Sequence, residues 1–427
     1  MTTARPGLKS SPLIVFAALI AGIGCGIGIA GLSPDTANAM ADFADPIGTL
    51  WLRALQMTIV PLVVALLITG IVGSVEAARA GKVAGRSMLM FVLILWSVTI
   101  MSAIVTPALL AAFPPPEAAA RAIAGGAANA EVGTIPGFGE FVKSIIPANP
   151  LAAAVNDSIL PLVVFTLALA LAITRLEKGP RERLAGLFSA LGDAMLVIIG
   201  WALAVAPIGV FALAFVVAAR IGIDAVGIFL HYIVTVASLG GIVLLSAYPV
   251  AVLAGRRKLG AFARAVLPAQ AMAISTQSSL ASLPVMLRAT GQLGVRAETA
   301  DVTLPLAVAL FRATSPAMNL AVAIYVAHLA GIQLSTTALI AGVAVAATTT
   351  MGSISLPGSI SFIASVGPVA LAMGVPLEPL ALLLAVEQLP DIMRTLGNVT
   401  MDVAVTTVID RASDDGSSAA EGAAGAA

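Results

Sequence analysis

The stretch Glu387-Gln388-Leu389-Pro390-Asp391-Ile392-Met393-Arg394-Thr395-Leu396-Gly397-Asn398-Val399-Thr400-Met401-Asp402 decides how the rest of the chain is read. On a helix, Glu387, Asp391, Arg394, Thr395, Asn398 and Asp402 fall at offsets 0, 4, 7, 8, 11 and 15, so carboxylates, guanidinium, hydroxyl and amide share one face. The other face is apolar. With Leu380–Leu384 before it and Val403–Ile409 after it, the segment is long enough to span a bilayer. Each charge at bilayer depth costs roughly 2.5 to 3.5 kcal/mol on insertion scales, so Glu387, Asp391, Arg394 and Asp402 must recover much of that by pairing. Ionisable residues inside a membrane mark substrate or ion pathways; the bland alternative is a structural network that satisfies only itself.

Composition agrees with a chain that lives in a bilayer. Hydrophobic residues make up 59% and charged residues 10%, against about 25% charged in soluble domains. This predicts an all-α polytopic membrane protein whose 427 residues leave no room for a sizeable soluble domain. Basic and acidic residues balance at 22 each, which gives nucleic acid nothing to bind. The single cysteine, Cys25, excludes an internal disulfide or a cysteine cluster.

Residues 1–12 are a polar lead with Arg5 and Lys9. Apolar runs at Leu13–Leu32, Trp51–Val72, Phe91–Leu110, Leu160–Ile173, Met195–Val217 and Ile228–Leu253 predict six spans within residues 13–254. Ala37-Asn38-Ala39 resembles a signal cleavage site, but the apolar core before it is longer than a signal peptide's. Residues 113–148, rich in Ala, Gly and Pro, read as an extracellular loop. Lys and Arg gather at alternate connections: Arg5 and Lys9; Arg79, Lys82 and Arg86; Arg175, Lys178, Arg181 and Arg183; Arg256, Arg257, Lys258 and Arg264. The intervening connections carry Asp35, Asp42, Asp45, Glu117, Glu131, Glu140 and Asp224, with Arg121, Lys143 and Arg220 as exceptions. The positive-inside rule then places both termini in the cytoplasm of a plasma membrane, the inner membrane if the source is bacterial.

After Arg256 the pattern breaks. The apolar stretches Val266–Leu287 and Ala338–Leu371 are interrupted by hydroxyl-rich tips, each ending in Ser-Leu-Pro, at Ser282–Pro284 and Ser355–Pro357. Each is followed by an apolar helix, which makes an internal repeat. Irregular backbone at membrane depth is tolerated where it is buried in protein or lines a cavity, so the tips predict re-entrant hairpins over about 259–290 and 335–372. The helices that follow cover about 300–330 and 376–409. Because the hairpins enter from opposite faces, the region 255–409 reads as the inverted-repeat core of a secondary transporter with a midplane site. The Ser, Gly, Ala and acid-rich tail 410–427 is expected to be disordered.

These motifs resemble the dicarboxylate/amino acid:cation symporters, a family that includes glutamate and aspartate transporters, over about Leu13–Ile409. The resemblance is carried by Gln277-Ser278-Ser279-Leu280-Ala281-Ser282-Leu283-Pro284 against the family's serine-rich first tip and by Ser355-Leu356-Pro357-Gly358 against its second. The third carrier is Asp391–Asp402, against an Asp-x-x-Arg-Thr-x-x-Asn-Val-x-Gly-Asp helix with Met401 in place of the glycine. It implies eight transmembrane helices, two re-entrant hairpins, a homotrimer among membrane lipids and an elevator movement. It also implies a small anionic substrate. In that reading Arg394 offers a planar fork to the substrate's side-chain carboxylate, Asp391 takes an α-ammonium, and Thr395 and Asn398 hydrogen-bond the ligand. Ser278, Ser279, Pro357 and Gly358, with the backbone amides of both tips, receive the α-carboxylate. Glu387, seven residues before Arg394, is expected to pair with it.

The departures lie at the cation sites. Where the family carries Asn-Met-Asp-Gly-Thr, this chain has Phe311-Arg312-Ala313-Thr314-Ser315, and Ile94 and Leu95 stand where relatives carry Thr-Ser. Asn398 and Asp402 survive from one sodium site, and Thr350, Met351 and Ser353 keep the elements of a residual one. The sequence therefore predicts Arg312 as a tethered counter-cation near Asp402 or Asp391, with no cofactor and with Na+ or H+ as the coupling ion. Tyr325 and His328 read as interfacial packing residues. The resulting expectation is a symporter for aspartate or glutamate with reduced sodium coupling; a C4-dicarboxylate symporter of the same family is the alternative. An intramembrane protease would need a Ser-His or paired-aspartate geometry, and a channel would need symmetric filter rings; neither is legible.

Overall fold

The computed structural model describes residues 12–79, 81–116, 143, 145–156, 158–222, 224–352 and 358–424, and every regular element among them is helical. Among the described residues, six helical stretches are long and apolar enough to cross a membrane: Ile14–Leu32, Pro34–Arg79, Lys82–Ala112, Lys178–Ala204, Ala225–Ala254 and Ala297–Leu329. Ile159–Ile173, Ala206–Arg220 and Thr336–Met351 are shorter apolar helices.

Helix α1 (Pro12–Leu32) lies on α8 (Ala206–Ile221), and α8 also covers α2 (Pro34–Gln56). The approach of α1 to α8 is close enough to require glycine. A Cβ on Gly22 would meet Phe211 O at 2.6 Å, and one on Gly26 would meet Ala219 N at 2.8 Å. The connection expected between the first two spans is itself helical. Ser33 caps α2, Pro34 occupies its first turn where the missing N–H is tolerated, and the chain reaches α3 (Ile59–Arg79) after a turn at Met57-Thr58.

Of the next two spans, one matches the sequence expectation and one differs from it. After α4 (Lys82–Ala112) and a short α5 (Pro150–Val155), α6 (Ile159–Ile173) begins separately and stays short. The run Met195–Val217 is broken at Val205, between α7 (Lys178–Ala204) and α8, because Pro207 cannot donate to the ladder. Trp51 Nε1 donates at 2.8 Å to Ala202 O in the last turn of α7, where carbonyls lack helical partners.

Helix α9 (Asp224–Pro249) runs into a π turn at Val250–Ala254 and is followed by α10 (Leu259–Thr276) and α11 (Ser279–Gln292). The last two pack on each other across a two-residue turn in which Gln277 is left-handed (φ 49°) and Ser278 caps α11. Helix α12 (Ala297–Leu306) ends in a π turn, Ala307–Phe311, then left-handed Arg312 (φ 36°), before α13 (Ser315–Leu329) starts with Pro316 in its first turn. Pro305 removes one ladder donor just before the π turn. This apolar stretch is therefore a discontinuous helix. Helices α14 (Thr336–Gly352) and α15 (Gly358–Ala372) also pack together; Ser353, Ile354, Ser355, Leu356 and Pro357 of the expected second tip lie outside the described residues. The short α16 (Glu378–Leu383) leads by a turn into α17 (Gln388–Ala424), so the polar face opens a helix where an unbroken span from 376 was expected.

Helix α17 also continues to Ala424, through the tail expected to be disordered. Its passage is secured at Asp410, which pairs with Arg296 Nε at 2.9 Å and Arg257 Nη2 at 3.4 Å. Arg411 Nη1 donates to Ala254 O at 2.9 Å, and Arg86 Nη1 to Ala412 O at 2.8 Å. Beyond, alanine supplies high helix propensity. These contacts gather the basic ends at 86, 254–257, 296 and 410–413. Arg181 with Glu76 at 3.2 Å joins the ends of α3 and α7 in the same way. At other helix ends, Arg220 meets Asp42 at 3.3 Å, and His231 meets Phe113 O at 2.8 Å.

Candidate functional site

Glu387 is the hinge of the site. Its carbonyl accepts the Asp391 amide at 3.0 Å, which opens α17, and Pro390 sits in the first turn where it removes no ladder bond. The helical spacing then carries Arg394 back beneath both carboxylates. Arg394 Nη2 donates to Glu387 Oε1 at 2.6 Å and Nε lies 3.1 Å from Asp391 Oδ1. Nη1 donates to Asn319 Oδ1 at 2.9 Å and to Ser315 O at 3.5 Å, both on α13. Arg394 is 6% exposed and Glu387 2%, whereas the Asp391 side chain keeps 15%. The other Glu387 oxygen receives Tyr232 Oη from α9 at 2.5 Å. Both oxygens thus face donors, an arrangement that holds Glu387 as an acceptor-only carboxylate.

The break before α13 meets this helix through Thr314. Its amide donates to Asn398 Oδ1 at 2.8 Å, and its hydroxyl lies 2.8 Å from both Arg394 O and Asn398 Oδ1, donating its one proton to either. The helices approach so closely that a Cβ on Gly397 would fall 2.4 Å from Thr314 Cγ2. Arg312, left-handed at the same break, lies within electrostatic reach of Asp391 and Arg394.

Asp402 is one turn beyond Asn398 and 1% exposed, in the apolar core that Phe311, Ala313 and Val403 share. Its Oδ1 has no hydrogen-bond partner among the described residues. For a sodium ion as transported cargo, the neighbourhood offers this carboxylate but no side-chain oxygen from Phe311 or Ala313, and Asn398 Oδ1 is already faced by two donors from Thr314. Leu95 is buried and Ile94 half-buried, so neither replaces the missing hydroxyls. Thr350 donates to Ala346 O at 2.8 Å within α14, and Met351 is buried in the same core as Asp402. Ser353 and Pro357 lie outside the described residues, and Gly358 begins α15.

The first tip comes to the mouth of the site. Gln388 Nε2 donates to Gln277 Oε1 at 2.8 Å, which sets the turn before Ser278 and Ser279 beside the first turn of α17. Ser278 Oγ accepts the Ala281 amide at 3.2 Å and is committed to capping α11. Thr395 Oγ1 donates to Asp391 O at 3.1 Å.

Of the four residues that hold the charged face, Tyr232 and Asn319 escaped the sequence reading, whereas Thr314 entered it as part of the altered motif and Tyr325, which contacts Tyr232, as a packing residue. Tyr325 is fully buried. A lone amide in an apolar helix was the signal available for Asn319, since such a group needs a buried partner.

Residues 12–412 match the Sodium:dicarboxylate symporter family. The chain is 26% identical to the "Proton/sodium-glutamate symport protein" of Bacillus subtilis, over 87% of this chain and 87% of that relative. It is 25% identical to the "C4-dicarboxylate transport protein" of Azorhizobium caulinodans, over 93% and 88%. It is 24% identical to the "Proton/glutamate-aspartate symporter" of Escherichia coli, over 87% and 85%. A buried guanidinium set between two carboxylates, on a chain built of apolar helices, is thus found in a multi-pass membrane protein that belongs to the sodium:dicarboxylate symporter family.

Proposed function

We propose that the chain is a secondary active symporter for an acidic amino acid such as aspartate or glutamate. The observation that carries this reading is Arg394 held between Glu387 and Asp391. Glu387 is buried and tied at both oxygens, whereas Asp391 is the more exposed and more weakly held partner. An incoming substrate carboxylate therefore displaces Asp391 from the fork. An amino acid then supplies its ammonium to the displaced Asp391, so one ion pair is exchanged for two. A C4-dicarboxylate leaves Asp391 without that ammonium. The alternative substrate class gains support from Arg312, which lies within electrostatic reach of Asp391 and could balance it when no ammonium is present.

Sodium dependence in this reading is low. Arg312 supplies, as a fixed charge, part of the balance that bound cations would otherwise provide, and Thr314 occupies Asn398. The coupled ion is a proton, or a single sodium ion at Thr350, Met351 and Ser353. The resemblance further implies an elevator of eight spans and two re-entrant hairpins, assembled as a trimer. The gathered arginines at the ends near 86, 257, 296 and 411 support termini on the cytoplasmic side.

The test is uptake into proteoliposomes with imposed gradients. Labelled aspartate accumulates when a proton gradient is imposed in choline medium, and succinate competes poorly. Equal competition by succinate moves the reading to a dicarboxylate carrier. Affinity rising with the second or third power of sodium concentration refutes the fixed counter-charge.

A further inference from the structure

The chain has two histidines, and neither contacts Arg394 or its carboxylates. His231 precedes Tyr232 on α9. Its Nε2 lies 2.8 Å from Phe113 O, a carbonyl that can only accept, so Nε2 carries a proton. Its Nδ1 lies 3.2 Å from Tyr325 Oη, and that hydroxyl lies 3.1 Å from Ile228 O. A phenol has one proton to give. When it goes to Ile228 O, Nδ1 must donate to the phenol oxygen and the imidazole is charged. When the ring is neutral, Nδ1 takes the phenol proton and Ile228 O loses it.

The change has a route to the site. Ile228 O is the carbonyl that helix geometry pairs with the Tyr232 amide. The Tyr325 ring meets Tyr232 edge-on at 5.4 Å, and Tyr232 donates to Glu387, which holds Arg394. The residues next to Phe113 lie along the same turns of α9, since a Cβ on Gly227 would come within 3.1 Å of Pro116 Cγ.

We propose that His231, Tyr325 and Tyr232 form a pH-responsive positioning unit for Glu387 and Arg394, with charged His231 favouring the arrangement in which all of these contacts are made together. It rests on the reading of Arg394 as the partner of the substrate carboxylate. Among the described residues, the titratable and charged groups around His231 are few. From α13 come Tyr325 and His328, the latter close enough to act on His231 electrostatically. Its own helix contributes Tyr232 and, two turns earlier, Asp224. On α8, Arg220 is paired with Asp42. From α17 come Asp391 and Arg394, and from the turn before it Glu387, which Tyr232 links to α9. The Lys82 and Arg86 end of α4 is opposite the Phe113 end, and Arg264 lies on α10 beyond the far end of α9.

The experiment uses the full chain in nanodiscs. Histidine nitrogen NMR, with His328→Gln to assign the signals, reads the tautomer; aspartate binding from pH 5.5 to 8 reads the transmission. Expected are a protonated Nε2 throughout, titration at Nδ1, and affinity about fivefold weaker at pH 8, the worth of one hydrogen bond of about 1 kcal/mol. That difference shrinks below about twofold in His231→Gln and in Tyr325→Phe. A neutral ring protonated at Nδ1 alone, or a wild-type pH profile in His231→Gln, overturns the proposal. The tautomer needs no substrate, so failure of the Arg394 reading shows separately, as unaltered aspartate binding in Arg394→Ala.

Discussion

Replacing Arg394 by alanine separates stability from recognition in one set of variants. The guanidinium makes a 2.6 Å bond to Glu387, a 3.1 Å contact with Asp391 and a 2.9 Å bond to Asn319. Its removal leaves Glu387, at 2% exposure, with the Tyr232 hydroxyl as its remaining side-chain donor among the described residues. Breaking a buried pair by deleting one partner costs about 3 to 5 kcal/mol, chiefly because a desolvated charge is stranded. Neutralising the stranded group should recover part of that loss, so Arg394→Ala/Glu387→Gln unfolds at a higher temperature in detergent than Arg394→Ala alone. Binding follows another rule, because neither variant retains the fork. Loss of a hydrogen-bonded charge partner costs about 2 to 5 kcal/mol, or roughly 30- to 4,000-fold in affinity. Calorimetric titration with aspartate should therefore show the same loss in the single and double variants. Additive thermal losses would refute the pairing argument, and wild-type aspartate affinity in Arg394→Ala would remove that residue from the site.

Other perturbations probe separate joints of the structure. Arg312→Met should weaken aspartate binding without creating steep sodium dependence, because Phe311 and Ala313 still lack ligating oxygens; titrations in choline and in sodium buffers check this. Gly397→Ala places a methyl 2.4 Å from Thr314 Cγ2, and because three polar contacts fix Thr314 the overpacking should cost about 1 to 3 kcal/mol, seen as a lowered thermal midpoint. Asn319→Leu removes an uncharged acceptor from Arg394 and should lower aspartate affinity by about 1.5 to 3 kcal/mol while leaving the protein folded; unchanged affinity by calorimetry would show that Glu387 suffices to hold the fork.

The membrane class and the charged face of α17 were legible in sequence because both are local. Composition fixes the first, and helical periodicity places Glu387, Asp391 and Arg394 together before any tertiary contact is known. The break between α10 and α11 was legible for a related reason: a hydroxyl-rich, proline-ended tip inside an apolar run is a local contradiction. Helix breaks were less so. Val205 interrupts a run of uniform hydropathy, and α2 extends through residues whose acids read as a connection, since periodicity does not report where caps and neighbours end a helix.

The sequence by itself determined that this chain lies in a membrane, that it carries a carboxylate and guanidinium face, and that Phe311–Ser315 departs from the motif of the family it resembles. Only the tertiary structure decided what holds that face. Tyr232 reaches Glu387 across 155 residues and Thr314 reaches Asn398 across 84. Those partners are fixed by how α9, α13 and α17 pack, and a buried hydrogen bond depends on a few tenths of an ångström that no residue pattern encodes. The left-handed turn after the π turn, and not the spacing of residues, likewise brings Arg312 within electrostatic reach of Asp391 and Arg394.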